Sequence, residues 1–152
     1  MRIRAGQQED LPALVRLLEE PLAAHWNAEQ ARLYLEPQAG MMRRICLVAD
    51  MVGAGQDGVV GMVAGTVLAP DAELQNIVVG RAHCGRGVGR ALLGGFLGEC
   101  LRNGARKVML EVRASNVAAM GLYARAGFAR TGERRWYYSE PVEDAILMAA
   151  EI

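Results

Sequence analysis

Apolar positions recur along this chain with two different periods, and the switch between them marks out the elements. Residues 3–5 read as a short strand, after which Leu11, Leu14, Val15 and Leu18 recur at helical spacing. Asp10 stands where a helix N-cap is expected, and Pro12 is tolerated in the first turn. After a break at Pro21, Asn27 and Gln30 have the spacing of a capping box ahead of Ala31, Leu33, Tyr34 and Leu35. Pro37 and Gly40 end that second helix. Strands follow over 45–51, 59–68 and 73–79, with a glycine-rich hairpin loop at 53–58 and a turn at Pro70-Asp71.

The second half repeats the alternation. A helix over 88–103 carries one stripe of Leu92, Phe96 and Cys100 and a neighbouring one of Leu93, Leu97 and Leu101, and Gly104 stops it. Gly94, Gly95 and Gly98 lower its intrinsic stability, so close packing against a neighbour is the expected compensation. A strand over 107–112 precedes a helix capped by Ser115 or Asn116 and ended by Gly127. Strands over 128–137 and 144–150 close the chain around Glu140-Pro141. The order is strand, two helices, three strands, helix, strand, helix, two strands, which predicts a mixed α/β domain. With no linker or internal repeat, residues 1–152 read as one domain.

Composition narrows the chemistry. Seventeen basic residues balance 17 acidic ones, which argues against a general nucleic-acid binder. Cys46, Cys84 and Cys100 are widely spaced and odd in number, so reduced thiols are expected rather than disulfides or a zinc site. His25 and His83 are single and unmatched, so no metal is expected. Charges at Arg2, Arg4, Glu9 and Asp10 interrupt any signal-peptide pattern, and no apolar run is long enough to span a bilayer. The expected location is cytoplasmic.

The densest signal lies between the strand ending at 79 and the helix starting at 88. Gly85, Gly87 and Gly89 free the backbone to approach a ligand, and the helix start behind them adds unpaired N–H donors and a positive dipole end. Such a loop suits phosphate, most naturally a pyrophosphate. The Gly-x-Gly-x-Gly spacing after three meandering strands is not a dinucleotide fingerprint, and there is no Gly-Lys-Ser/Thr ending. A mere tight turn is the plainer alternative.

Strand alternation puts Val108, Leu110 and Val112 on one face and Met109, Glu111 and Arg113 on the other. A carboxylate in the centre of an apolar strand suits a general base acting through water, though an ion pair with an arginine on a sheet face is equally compatible. Tyr123 lies two helical turns beyond Asn116, on the same face, and could equally be an ordinary core tyrosine. The 134–138 aromatic and basic run reads as a substrate-lining hairpin, and the acidic Glu140, Glu143 and Asp144 beside it could attract a basic peptide.

Taken together, these motifs resemble the GNAT superfamily of N-acetyltransferases nearly end to end. The residues that carry the resemblance are 74–79, 85–93, 110–116, Leu122-Tyr123, Gly127-Phe128, Trp26, Tyr137-Tyr138 and 143–146 with Met148. Within the superfamily the chain looks most like the RimI-type enzymes, which acetylate the N-terminal alanine of ribosomal protein S18. The resemblance implies a mixed, mostly antiparallel sheet flanked by about four helices. It implies that Ile77, Val78 and Val79 offer main-chain groups to the pantetheine arm of acetyl-CoA. It also implies that Gly85, Arg86, Gly87, Val88, Gly89 and Arg90 hold the pyrophosphate, and that Asn116 touches the cofactor. Glu111 corresponds to the proposed base and Tyr123 to the proposed acid. The chain departs from the usual loop at Cys84 and Gly85, where the family carries Gln or Arg and then Arg, so grip there must come from the backbone. The expected acceptor is a basic peptide or protein N-terminus. Lysine side chains, a small amine, or a non-catalytic acetyl-CoA-binding role are the alternatives.

Overall fold

Residues 1–51 and 58–152 are described by the computed structural model. The glycine-rich loop expected at 53–58 therefore falls, apart from Gly58, outside the described residues. The elements follow the expected order. Strand β1 (Arg2–Ala5) precedes helices α1 (Leu11–Leu17) and α2 (Ala28–Leu33), and strands β2 (Arg43–Asp50), β3 (Val59–Leu68) and β4 (Asp71–Val79) come next. Helix α3 (Val88–Arg102), strand β5 (Lys107–Arg113), helix α4 (Val117–Arg125) and strands β6 (Ala129–Ser139) and β7 (Val142–Glu151) complete the chain. The seven strands form one sheet in the order β1-β2-β3-β4-β5-β7-β6. Strands β1 to β4 meander antiparallel, β4 and β5 pair in parallel across the α3 crossover, and β7 inserts antiparallel between β5 and β6. That insertion was not legible from element order.

Two helix starts show how local sequence acts. Asn27 accepts the Gln30 N–H at 2.9 Å while Gln30 Oε1 accepts the Asn27 N–H at 2.8 Å, the expected capping box. Asp10 behaves differently from expectation. Its carboxylate does not cap α1 but turns back across a 3-10 turn (Gln8–Asp10) to accept the Gln7 N–H at 2.8 Å and Arg4 at 2.8 and 2.9 Å. The guanidinium is the stronger donor, and it ties β1 to the start of α1.

The sheet is covered on both faces. One core joins Leu92, Leu93, Phe96 and Cys100 of α3 and Tyr123 of α4 to β-strand residues such as Val63, Leu74, Val108, Leu110 and Met148. The other packs Ala13, Leu14 and Leu17 of α1 with Leu35 on Cys46, Val48, Met62, Ala64 and Val78. Leu92, Leu93 and Phe96 are at most 1% exposed, and burying each contributes about 1.5–3 kcal/mol. That exceeds the roughly 1 kcal/mol that each of three glycines costs α3. Of these glycines only Gly95 has the close neighbour expected, since a Cβ there would lie 3.1 Å from Ile3 Cγ2 and Leu47 Cδ1. Gly94 faces open space, and Gly98 meets only the Arg102 side chain. All three cysteines are free, with Cys46 and Cys100 buried and Cys84 exposed.

One irregularity in this frame positions everything that follows. Ala64 pairs with Asn76 and Gly65 with Leu74, so Gln75 is an extra residue in β4, a β-bulge. Before it, Ala72 and Leu74 belong to the α3 side, and after it Val78 belongs to the α1 side. Gly65 sits opposite because nothing larger fits. A Cβ there would lie 2.2 Å from the Glu73 carbonyl oxygen and 2.5 Å from Phe96 Cζ.

Candidate active site

Parallel pairing of β4 with β5 runs from Asp71–Lys107 to Leu74–Leu110 and then stops, although β4 continues to Val79 and β5 to Arg113. Beyond the bulge the two strands have parted. Residues 76–79 of β4 pair with β3 alone, so on their other side main-chain N–H and C=O groups face a gap. The gap opens into a cavity of about 130 Å³ lined by Gln75, Asn76, Ile77, Glu111, Arg113, Asn116, Tyr123 and Tyr138, with the 22–25 segment on one side. A larger open groove of about 960 Å³ lies elsewhere, between β1, β2 and the 34–38 segment, and none of the candidate residues lines it.

The predicted face of β5 is as observed: Val108, Leu110 and Val112 point into the α3-side core, and Glu111 lies on the opposite side, facing the cavity. The expected ion pair of Glu111 with an arginine is present. Glu111 Oε1 lies 3.2 Å from Arg134 Nε on β6, with the carboxylate 26% and the arginine 58% exposed. An ion pair this open is weak and readily exchanged for another partner. The Glu111 carboxylate in turn pushes the Tyr137 phenol above its ordinary value, first through a hydrogen bond and then through its charge. Burial, with the Glu111 charge second, pushes Tyr138 up to about 12.

Tyr123 is 4% exposed and packs against Phe128, with ring centroids 5.7 Å apart, so it is a core tyrosine as well as a cavity residue. Burial raises its phenol well above the ordinary value, with Tyr138 a lesser cause. Asn116, one of the two caps foreseen for α4, is the cap used: its Oδ1 accepts the Ala119 N–H at 3.2 Å. That uses one lone pair of the oxygen and leaves the Nδ2 side for a ligand. Of the β4 candidates, Ile77 lines the cavity, Val78 is buried in the second core, and Val79 lies close to Gly89.

The glycine loop stands at the far end of the gap. Gly85 and Gly87 have φ of +75° and +81°, with open space where a Cβ would be, so they are glycine for conformation rather than for room. Gly89 is different, lying inside the first turn of α3, where a Cβ would meet Leu122 Cδ2 at 3.4 Å. The first helical hydrogen bond is from Ala91 N–H to the Gly87 carbonyl, so the N–H groups of Val88, Gly89 and Arg90 have no intrahelical acceptor. Arg86 and Arg90 are exposed beside them and, among the described residues, unpaired. The arrangement offers an anion backbone donors, a helix dipole and two cations.

Arg113 lines the cavity with a role that strand parity did not give it. Arg113 is 8% exposed, lies 4.3 Å from the Tyr138 ring, donates to the Pro141 and Glu140 carbonyls at 3.1 and 3.4 Å, and stands 3.4 Å from His25 Nε2. It joins β5, the β6–β7 turn and the α1–α2 segment around the cavity. Of the 134–138 run, expected to line the substrate site, Tyr138 lines the cavity, beyond a wide bulge in β6 where residues 135–137 oppose Asp144 and Trp136 N–H donates to the Asp144 carboxylate at 2.9 Å. Glu143 accepts from Ser115 Oγ at 2.8 Å, so of the acidic trio only Glu140 has no side-chain bond among the described residues. Parity along one strand cannot reveal contacts made through a bulge of another. Among the described residues no cluster of His, Cys, Asp and Glu could hold a metal, and no helix is long and apolar enough to cross a membrane.

Comparison with known proteins agrees with this geometry. Residues 11–128 match the model of the acetyltransferase (GNAT) family. The chain is 43% identical over 88 residues to the ribosomal protein bS18-alanine N-acetyltransferase of Escherichia coli (strain K12), a stretch covering 57% of this chain and 60% of that protein's length. It is 34% identical over 145 residues to the enzyme of the same name from Salmonella typhimurium, covering 94% of this chain and 92% of the relative. The crystal structure of the ribosomal-protein-S18-alanine N-acetyltransferase from Escherichia coli superimposes with a TM-score of 0.78 at 32% identity, covering 99% of this chain and 93% of that one. With a family model matched over most of its length, the chain belongs to the acetyltransferase (GNAT) family.

Proposed function

We propose that the protein transfers the acetyl group of acetyl-CoA to the amine of a protein N-terminus, with the N-terminal alanine of ribosomal protein S18 as acceptor. The observation that carries this reading is the parting of β4 and β5 after Leu74–Leu110, which brings Glu111 and Tyr123 to one cavity. The anion-binding start of α3 lies beyond the same gap, as a ligand with a reactive end and a phosphate end requires. The names of the full-length relative and the E. coli structure support the choice of acceptor.

Acetyl-CoA supplies an activated thioester. Main-chain groups of Ile77, Val78 and Val79 along the unpaired edge of β4 would hold its pantetheine arm, and the N–H groups of 85–90 with Arg86 and Arg90 its pyrophosphate. The amide of Asn116 would touch it from α4. Glu111 takes a proton from the acceptor ammonium through water, leaving a neutral amine to attack the carbonyl carbon directly. An α-amino group titrates near about 8 against above 10 for lysine, so a carboxylate base suffices for an N-terminus. As the C–S bond breaks, Tyr123 gives its proton to the departing thiolate sulfur, and the proton shed by the new amide nitrogen returns through water to the phenol. Its raised value keeps the phenol protonated at neutral pH, so the donor is present in every turnover.

Mass spectrometry of ribosomal proteins after incubation with enzyme and acetyl-CoA tests this reading. It expects a single acetyl group on the S18 N-terminus, and acetylation confined to lysine side chains or free amines would refute it.

A further inference from the structure

Asn76 is the first β4 residue past the bulge, and it is 3% exposed. Its Oδ1 accepts the Ala24 N–H at 3.2 Å, which fixes the orientation of the amide. Its Nδ2 is the one buried side-chain nitrogen or oxygen without a partner among the described residues. Buried donors are almost always paired, so an orphan beside a cavity points to an acceptor atom that arrives with a ligand. Asn76 and Glu111 line that cavity together, from strands on opposite sides of the gap.

We propose that Asn76 Nδ2 donates to the carbonyl oxygen of the acceptor's first residue, and so selects a peptide α-amine over an amine on an alkyl chain. This rests on the proposed N-terminal acetylation. In a peptide the carbonyl oxygen is three bonds from the amine nitrogen, so an amine placed at Glu111 carries that oxygen into the same small space. A lysine side chain or a polyamine has only methylene groups at that distance. Those would leave the amide unpaired, and a site built around a buried polar group rejects ligands that fail to satisfy it.

The test compares two acceptors, a basic peptide beginning with alanine and the same peptide with an alkene in place of its first peptide bond. Wild-type kcat/KM should fall about tenfold on loss of the carbonyl, the size of one hydrogen bond. Asn76→Ala should show the same loss with the normal peptide, no further loss with the alkene peptide, and an unchanged KM for acetyl-CoA. Asn76→Asp, which keeps the acceptor for Ala24 N–H, should lose activity on the normal peptide while retaining its fold. In the ternary mixture of wild-type protein, CoA and normal peptide, the Asn76 side-chain amide resonance should shift, and the alkene peptide should not move it. Equal rates for the two peptides with wild type, or an Asn76→Ala effect confined to acetyl-CoA, would overturn the assignment while leaving N-terminal acetylation standing. Acetylation of free amines with none of the peptide would instead overturn N-terminal acetylation, and this inference with it.

Discussion

Gly65→Ala should be among the most damaging single-methyl additions to this protein, because it strikes the bulge on which the site depends. The new Cβ would stand 2.2 Å from the Glu73 carbonyl oxygen and 2.5 Å from Phe96 Cζ. Phe96 is fully buried among packed neighbours, and the Glu73 oxygen is backbone, so neither can move by rotating a free side chain. Overpacking of a well-filled core costs about 1–3 kcal/mol, and a clash with main chain belongs at the top of that range. For a domain of this size, roughly 3 kcal/mol lowers Tm by about 6–12 °C. The matching control is Gly94→Ala, in α3, the helix that carries Phe96, but exposed, with nothing within 4 Å of the added methyl. It should raise stability by about 0.5–1 kcal/mol, since glycine in a helix interior is the poorer choice. Thermal unfolding of the two variants beside wild type reads both signs at once. A Gly65→Ala protein melting within a degree or two of wild type would refute the claim that glycine is required opposite the bulge.

Other outcomes follow from the same geometry. Glu111→Gln should reduce kcat by about 10²–10⁴-fold with the affinity for acetyl-CoA unchanged, measured by steady-state kinetics and calorimetry. Tyr123→Phe should lower kcat with little change in either KM; wild-type turnover would remove it from the mechanism. Gly87→Ala forces a left-handed backbone (φ +81°) on a residue with a Cβ, costing about 1–2 kcal/mol, and should weaken acetyl-CoA binding more than it slows turnover at saturation. Asp10 is held below the usual carboxylate range, chiefly by its hydrogen bonds to Arg4, with burial opposing. A group held low contributes stability that is complete above its unfolded value, about 4, and is lost as pH falls through the folded one. Asp10→Asn should therefore destabilise the protein at neutral pH, by roughly 2 kcal/mol given the 22% exposure of Arg4, and flatten the loss of stability on acidification. Denaturant titrations across that pH range would show whether the two curves converge.

The sequence by itself determined what depends on near neighbours. Element order, the Asn27–Gln30 box, the left-handed glycines at 85 and 87 and the parity that sends Glu111 away from the α3-side core are all set within a few residues of chain. Where a capping rule met a stronger donor outside the helix it failed, as at Asp10, which chose the Arg4 guanidinium over the first turn of α1. Tertiary structure alone decided the rest. The extra residue at Gln75 is visible only against the register of β3, and the gap only against the length of the β4–β5 pairing. The placing of β7 between β5 and β6, the Arg134–Glu111 pair and the orphaned amide of Asn76 likewise join residues far apart in sequence. Periodicity fixes which face a side chain takes on its own strand, because that follows from backbone geometry. What the side chain meets there is set by register and packing between distant segments, and those are settled only when the sheet closes on its two cores.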